Sequence, residues 1–186
     1  MKILVTGGAG FIGSHLVEDL LNKKKIKKIY LIDNFLDGSR KNIKKFQNHK
    51  KLKIIKADIT KIISLKKHFK GIDAVLHLAA IADIVPSIEN PRSYIDTNFN
   101  GTINILECMR MNGVKKIVYA ASSSCYGIPK KFPTNENEKI SPEYPYAFSK
   151  FIGELAIKHW AKIYNLEYIS LRLFNVYGTR SRTHGA

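Results

Sequence analysis

The chain has 186 residues, 45% of them hydrophobic and 25% charged, and its formal net charge is +16. These values are typical of one globular domain with a substantial core, and no apolar run reaches the roughly 18 residues of a membrane-spanning helix. Cys108 and Cys125 lack CxxC spacing, so the sequence predicts reduced, buried thiols in a cytoplasmic protein and no metal site.

The positive charge lies in clusters of lysine that are spread over many segments, for example KKKIKK at residues 23–28. A basic excess of this size is compatible with a nucleic-acid partner. However, lysine far outnumbers arginine, and aromatic residues do not interleave with the clusters as base-stacking platforms do. We therefore expect no nucleic-acid partner and a general field that attracts anionic substrates. A salt-sensitive gel shift would support the nucleic-acid alternative.

Short apolar runs alternate with helix-period segments along the chain. In order, the sequence predicts strand Lys2–Thr6, helix Phe11–Leu21, strands at 29–32 and 52–55, a short helix at 60–69, a strand at 74–78, a helix at 98–111, a strand at 117–121, a helix at 146–164 and a strand at 168–174. Continuous runs of Ile, Val and Leu are typical of parallel strands buried on both faces. We therefore predict an α/β fold with a doubly wound parallel sheet (a Rossmann fold) in three αβα layers, as one domain over residues 1–186.

The stretch TGGAGFIG at residues 6–13 satisfies the GxGxxG pattern between the first strand and the first helix. Its first glycines permit a tight turn, Gly10 lets the backbone approach a pyrophosphate, and Gly13 lets the helix pack closely on the strand. The helix N-terminus supplies free N–H groups to the phosphates. The predicted residues of this cradle are Gly7, Gly10, Phe11, Ile12 and Gly13. The pattern alone is also compatible with a merely tight turn.

An acidic residue ends the second strand. Asp33 lies 20 residues after Gly13, where a carboxylate can accept two ribose hydroxyls and would repel a 2′-phosphate. This position favours NAD over NADP as the cofactor, while the nearby Arg40 and Lys41 keep NADP open.

Further polar and small residues follow the third and fourth strands. We expect Asp58 and Ile59 to lie where an adenine is held, with helix N-capping as another role for Asp58. Small side chains after the fourth strand would let the cofactor lie against the backbone, and His77 is interpreted as a buried core histidine. The remaining predicted cofactor-binding residues are Asn34, Leu78, Ala79 and Ala80.

Tyr146 and Lys150 are four residues apart near the start of a predicted helix, so they share a face. A tyrosine that acts as a base at pH 7 needs its pKa lowered by about 3 units, or roughly 4 kcal/mol. A nearby lysine ammonium and an oxidised nicotinamide can provide this in a desolvated cleft. Ser122, Ser123 and Ser124 end the preceding strand, where a hydroxyl can hold the same substrate oxygen. The Tyr-Lys spacing alone is also compatible with a chance surface pair.

The motifs TGGAGFIGS, DN at 33–34, DI at 58–59, HLAA, SSSCYG, YAFSK and RLFNVYG follow one another along the whole chain. In this order and spacing they resemble the extended short-chain dehydrogenase/reductase family. Within it, the chain is most similar to the NAD-dependent epimerases and dehydratases of nucleotide sugars, and in particular to UDP-sugar 4-epimerases.

The resemblance implies that Ser122, Tyr146 and Lys150 form the catalytic group, and it implies roles for further residues. It places Phe174 beside the nicotinamide, Asn175 beside the sugar diphosphate, and Ser123 and Ser124 beside the substrate. It implies that Asn98 orients Lys150 through water. It also implies a homodimer, formed through the helices at 98–111 and 146–164.

The resemblance also implies a reaction. Tyr146 takes the proton from a sugar hydroxyl while NAD accepts the hydride, which returns to the opposite face of the sugar. Dehydratases of the family place an acidic pair directly after the position of Ser122, whereas this chain has Ser123 and Ser124 there. This difference favours epimerisation, or simple oxidation and reduction, over dehydration.

Relatives in this family continue into a seventh strand and a small substrate domain. We therefore expect residues 1–186 to lack most of that domain, with 175–186 as its start, and to be a fragment or truncated protein with little turnover. Arg180 and Arg182 are either the first phosphate contacts of that region or a solvated tail. The alternatives are a non-catalytic NAD-binding regulatory module, and a nucleotide-sugar dehydratase or reductase of the same family.

Overall fold

Six parallel strands form the sheet in the computed structural model, which describes residues 1–181. Their order across the sheet is β3-β2-β1-β4-β5-β6. The strands are β1 (Lys2–Thr6), β2 (Lys28–Asp33), β3 (Leu52–Lys56), β4 (Ala74–His77), β5 (Lys116–Ser122) and β6 (Glu167–Leu173). The chain order reverses between β1 and β4, which opens a crevice at the carboxyl ends of these strands. The predicted doubly wound fold is confirmed.

Helices cover both faces of this sheet. They are α1 (Phe11–Leu21), α2 (Arg40–Ile43), α3 (Ile62–Leu65), α4 (Ile84–Glu89), α5 (Pro91–Tyr94), α6 (Gly101–Met111) and α7 (Pro145–Tyr164). A π-helical segment, Ile95–Asn100, joins α5 to α6. Within residues 1–181, no helix is both long enough and apolar enough to cross a membrane.

The two faces of the sheet bury separate apolar clusters, and β1 contributes to both. Ile3 and Val5 pack with α1 and α2 on one face, while Leu4 packs with α3, α6 and α7 on the other. Successive side chains of a strand point to opposite faces, so a strand that is covered on both sides must be apolar throughout. This is the physical reason why KILVT reads as a continuous apolar run.

Two predicted helices differ from those in the structure. The helix expected at 60–69 is divided into α3 and a 3-10 turn at Lys66–His68, and it begins after Lys61. The helix expected at 98–111 is preceded in the structure by α5 and the π-helical segment, so its first residues belong to a wider turn. The sequence analysis did not predict α2, α4 and α5, because helices of four to six residues are too short to show a helical period.

Candidate active site

The glycine-rich turn is packed so closely that side chains are excluded from it. Gly7 has φ +68°, and a Cβ there would lie 2.7 Å from the backbone nitrogen of Ala79. A Cβ at Gly13 would overlap the carbonyl oxygen of Gly7. Gly10 is the N-cap of α1, and no side chain of the described residues caps this helix. The first N–H groups of α1 are therefore directed to a ligand or to solvent, which fits a phosphate cradle.

A crevice with a volume of about 150 Å³ opens beside this turn. It brings together most of the residues predicted to bind the cofactor. These are Gly7, Gly10, Asp33, Asn34, Asp58, Ile59, Leu78, Ala79 and Ala80.

Asp33 is buried at the bottom of the crevice, and backbone groups orient its carboxylate. Oδ2 accepts a hydrogen bond from the N–H of Ala9 at 2.9 Å, and Oδ1 accepts one from Phe35 at 2.8 Å. Burial raises the pKa of Asp33, these two hydrogen bonds oppose the increase, and the charge of Asp37 adds to it. Each oxygen keeps a lone pair for a further donor such as a ribose hydroxyl.

The loop after Asp33 folds closely over its carboxylate. A Cβ at Gly38 would lie 2.7 Å from Oδ1 of Asp33, so only glycine permits this approach. In the next strand connection, Asp58 accepts a hydrogen bond from the N–H of Thr60 at 2.8 Å, and Asn34 donates to the other oxygen of Asp58 at 3.4 Å. Asp58 therefore closes its own turn while it lines the crevice, but it does not cap α3, whose N-cap is Lys61 without a side-chain hydrogen bond. Its contact with an adenine stays a prediction.

The remaining predicted cofactor and substrate residues lie elsewhere. Phe11 and Ile12 line a separate open groove with residues 176–179. Phe174 follows the end of β6 and is 56% exposed, and Asn175 is exposed beside it. These positions do not join the crevice in the structure.

The two arginines near the end of the chain have different outcomes. Arg180 makes an ion pair with Glu18 of α1 and lies 5.9 Å from the ring centre of Phe46. It is therefore neither a solvated tail nor directed to the crevice. Arg182 lies outside the described residues.

Ser122 and Tyr146 meet at the carboxyl end of β5. The Ser122 hydroxyl lies near enough to the Tyr146 phenol to lower its pKa, and Ser122 Oγ accepts a hydrogen bond from the N–H of Ser124 at 3.2 Å. Ser123 and Ser124 form the first turn of a 3-10 helix, Ser123–Tyr126. The serine hydroxyl and the phenol are thus brought together as the sequence predicts.

Lys150 lies one helical turn after Tyr146 and is only 3% exposed. Its ammonium lies 4.2 Å from the ring centre of Tyr119, which is on β5. Burial lowers the pKa of Lys150 to about 7, and the charge of Glu154 opposes this change. Within residues 1–181 no carboxylate forms an ion pair with this ammonium.

In the free protein the pKa of Tyr146 is raised. Burial is the main cause, the Ser122 hydroxyl opposes the increase, and the nearby charge of Asp83 adds to it. The predicted lowering of this pKa needs an oxidised nicotinamide as well as Lys150, and it stays a prediction for the NAD complex. The free protein therefore holds Tyr146 as a neutral phenol at pH 7.

Asn98 connects the crevice to the catalytic helix through its side chain. Its amide accepts from the N–H of Ile81 at 2.9 Å and donates to the carbonyl of Ile81 at 3.0 Å. It also donates to Ser149 Oγ at 2.9 Å. The Asn98 side chain is thus used to fasten the loop after β4 to α7, one residue before Lys150.

His77 is a core histidine, as the sequence analysis expected. Thr6 Oγ1 accepts hydrogen bonds from the N–H groups of Leu78 and Ala79, both at 3.2 Å, so its own hydrogen is donated to His77 Nδ1 at 2.6 Å. The proton of the neutral imidazole is then on Nε2, which donates to Thr102 Oγ1 at 2.9 Å. Burial, together with the charge of Lys150, lowers the pKa of His77 to about 3.

Sequence reasoning did not identify several residues that shape the site. Gly38, Asp83 and Tyr119 lie in segments without a recognised spacing, and their partners are distant in sequence. A signal did exist for Thr6, since it is the hydrophilic end of an apolar strand directly before the glycines.

The strand order, the glycine cradle, the buried aspartate and the Ser-Tyr-Lys group define a dinucleotide-binding protein of the short-chain dehydrogenase/reductase type. More specifically, the chain belongs to the NAD dependent epimerase/dehydratase family, whose model matches residues 3–186.

Individual relatives agree with this assignment. The chain is 43% identical over 185 residues to a putative UDP-glucose 4-epimerase of Methanocaldococcus jannaschii. The aligned region covers 98% of this chain and 58% of that relative. The NAD complex of Thermus thermophilus UDP-glucose 4-epimerase superposes with a TM-score of 0.90 at 36% identity, covering 100% of this chain and 58% of that one. A dTDP-glucose 4,6-dehydratase of Streptomyces venezuelae with NAD bound superposes with a TM-score of 0.93 at 31% identity. This match covers 97% of this chain and 58% of that one. The chain thus spans somewhat under three fifths of the length of these relatives.

Proposed function

We propose that this chain binds NAD and carries the catalytic residues of a nucleotide-sugar 4-epimerase that acts on a UDP-sugar. The observation that carries the proposal is the proximity of the Ser122 hydroxyl to the Tyr146 phenol, one helical turn from the buried Lys150, in a molecule whose crevice has the features of a dinucleotide site. The name of the most similar relative described above and the UDP-glucose 4-epimerase complex with NAD support the choice of substrate and cofactor.

The residues of the crevice fit NAD. The uncapped N-terminus of α1 provides N–H donors for the pyrophosphate, and Gly10 leaves its surface bare. The buried carboxylate of Asp33 suits two ribose hydroxyls and repels a 2′-phosphate. When bound, NAD supplies the acceptor and later the donor of a hydride.

The chain's own residues supply the acid–base chemistry. Tyr146 takes the proton from the sugar hydroxyl and returns it after the sugar has turned over. Ser122 holds the same oxygen through its hydroxyl. The positive charge of Lys150 favours the phenolate form of Tyr146 during the reaction.

Dehydration of the sugar is the second candidate, since a dehydratase with NAD bound superposes closely on this chain. Elimination of water needs a further acid and base near the reacting carbon atoms. Ser123 and Ser124 follow Ser122 here, and neither hydroxyl is an effective acid or base at neutral pH. This favours epimerisation.

Titration calorimetry with NAD and NADP tests the first step. We expect NAD to bind more tightly than NADP, and equal affinities would contradict the role given to Asp33. The second step is incubation with NAD and UDP-glucose, followed by separation of the nucleotide sugars. Formation of UDP-galactose supports epimerisation, whereas a product that has lost water supports dehydration.

The variant Tyr146→Phe distinguishes an enzyme from a regulatory module. We expect it to keep its affinity for NAD and to lose conversion by about 100-fold or more. Tyr144→Phe is the matched control, because it removes the hydroxyl of a tyrosine that is 38% exposed at the N-cap of the same helix. NAD binding without conversion of any UDP-sugar by the wild type would favour a non-catalytic module.

We also propose a homodimer that is formed through the α6 and α7 helices. Phe148 and Leu155 are seven residues apart on α7 and are 48% and 46% exposed, so they present an apolar stripe. Sedimentation should show Leu155→Asp as a monomer and Lys158→Asp as a dimer. A cytoplasmic location is the accompanying proposal, supported by Cys108 and Cys125, which are free and buried.

A further inference from the structure

The ammonium of Lys150 is buried against an aromatic ring. Lys150 is 3% exposed and Tyr119 is 1% exposed, and the nitrogen lies 4.2 Å from the ring centre. The negative face of an aromatic ring attracts a cation at this distance, and the attraction is strongest where water is excluded. The ring thus stabilises the charged form of Lys150, which burial alone disfavours.

The Tyr119 ring is itself held in place through its hydroxyl. The hydroxyl donates to the backbone carbonyl of Lys150 at 3.3 Å, and the Thr102 hydroxyl nearby donates to the carbonyl of Asn98 at 2.6 Å. A Cβ at Gly153 would lie 2.8 Å from this hydroxyl oxygen, so α7 has a glycine where the hydroxyl fits.

A neutral imidazole extends this arrangement to β1. His77 lies 5.5 Å from Tyr119, ring centre to ring centre, and donates from Nε2 to Thr102 Oγ1. Because Thr6 fixes His77 as the neutral tautomer, no second positive charge lies beside Lys150. The titratable groups that act on Lys150 are then Tyr119 on β5, His77 on β4 and Glu154 on α7, and Tyr146 lies one turn before Lys150 on the same helix.

We propose that Tyr119 is a positioning residue of the active site, whose ring face holds the Lys150 ammonium charged and in place one turn from Tyr146. Its use in catalysis rests on the proposed function, since the charge matters for chemistry at Tyr146. The contact between the Lys150 ammonium and the Tyr119 ring is a property of the free protein. It can therefore be measured without cofactor or substrate.

The test follows the ionisation of Lys150 by NMR in protein labelled with ¹³C at the lysine ε-carbon. The Lys150 signal is assigned by its loss in Lys150→Arg. Titrations are compared for the wild type, Tyr119→Phe and Tyr119→Leu. A second series places phenylalanine with one, two or three ring fluorines at position 119, which keeps the shape of the ring and weakens its negative face.

We expect Tyr119→Phe to keep the Lys150 midpoint within a few tenths of a pH unit, because it keeps the ring. Tyr119→Leu should lower the midpoint by about one pH unit or more, and each added fluorine should lower it further. Phe69→Leu, which removes a fully buried ring elsewhere in the same cluster, is the control for loss of packing.

The fluorinated series keeps the inference testable even if Tyr119→Leu fails to fold. An unchanged midpoint across that series would overturn the proposal. So would a decrease in Tyr119→Phe as large as in Tyr119→Leu, because the hydroxyl and not the ring would then be responsible. Neither result depends on NAD binding, so this failure and that of the proposed function are distinguishable.

Discussion

Acid should destabilise this protein most strongly through His77. The imidazole is fully buried and neutral, and its pKa is lowered from an ordinary value of 6.5 to about 3. Below pH 6.5 the unfolded chain therefore binds a proton at His77 that the folded chain does not bind. Stability is lost as the pH falls from 6.5 towards 3, and below about 3 both states are protonated and this loss stops.

The size of the effect follows from the two pKa values. Each pH unit in this range costs about 1.4 kcal/mol, so His77 removes about 3 kcal/mol of the free energy of unfolding between pH 7 and pH 4.5. This is a large part of the roughly 5–15 kcal/mol that stabilises a typical domain. The loss should therefore be measurable well before the protein unfolds completely.

Urea denaturation of the wild type and of His77→Gln at pH 7 and pH 4.5 measures this contribution. The Gln amide can donate to Thr102 as Nε2 does, and it does not titrate. Between pH 7 and pH 4.5, the free energy of unfolding of His77→Gln should fall by about 3 kcal/mol less than that of the wild type. His159→Gln, which removes an exposed imidazole of α7, is the matched control and should keep the full loss. Equal losses in His77→Gln and the wild type would refute the reasoning.

Three further substitutions have consequences that the geometry sets. Gly13→Ala forces a Cβ into the carbonyl oxygen of Gly7, so thermal melting should show a loss of about 2 kcal/mol or more, together with weaker NAD binding. Glu154→Gln leaves Arg172, 19% exposed and paired at 2.8 Å, without its carboxylate and should cost about 3 kcal/mol in urea denaturation. Lys150→Met should raise the free energy of unfolding at pH 6 by at most about 5 kcal/mol. This gain should shrink as the pH rises from about 7 to 10.5, where the folded wild type no longer has to bury a charge.

The fold could be predicted because its signals are local. A strand buried on both faces must be apolar at every position, and KILVT and IYLI show this directly. The glycine turn could be predicted for a related reason, since the exclusion of a Cβ at Gly7 and Gly13 leaves only one residue type. Short helices such as α4 gave no period, and their positions come from packing on α7.

Within the site, only contacts between residues at a recognisable sequence spacing could be predicted. Tyr146 and Lys150 are placed by one turn of a helix, so their proximity could be predicted. Tyr119 is adjacent to Lys150 because β5 passes under α7, and no sequence spacing carries that information. The charge states in the free protein depend on burial, which composition does not give, so the raised pKa of Tyr146 could not be predicted from the sequence.

Burial disfavours the charged forms of both Tyr146 and Lys150, and this limits how the proposed chemistry can work. It raises the pKa of Tyr146 and lowers that of Lys150, so the free site favours a neutral phenol beside a lysine that titrates near neutral pH. The proposed reaction needs the opposite pair, a phenolate beside an ammonium. Only interactions that favour both charges together can reverse this preference, and Tyr119 and Glu154 favour the charged lysine alone. Attraction between the phenolate and the Lys150 ammonium favours both charges, and a bound oxidised nicotinamide would add a second positive charge for the phenolate. We therefore expect the base to form only in the NAD complex.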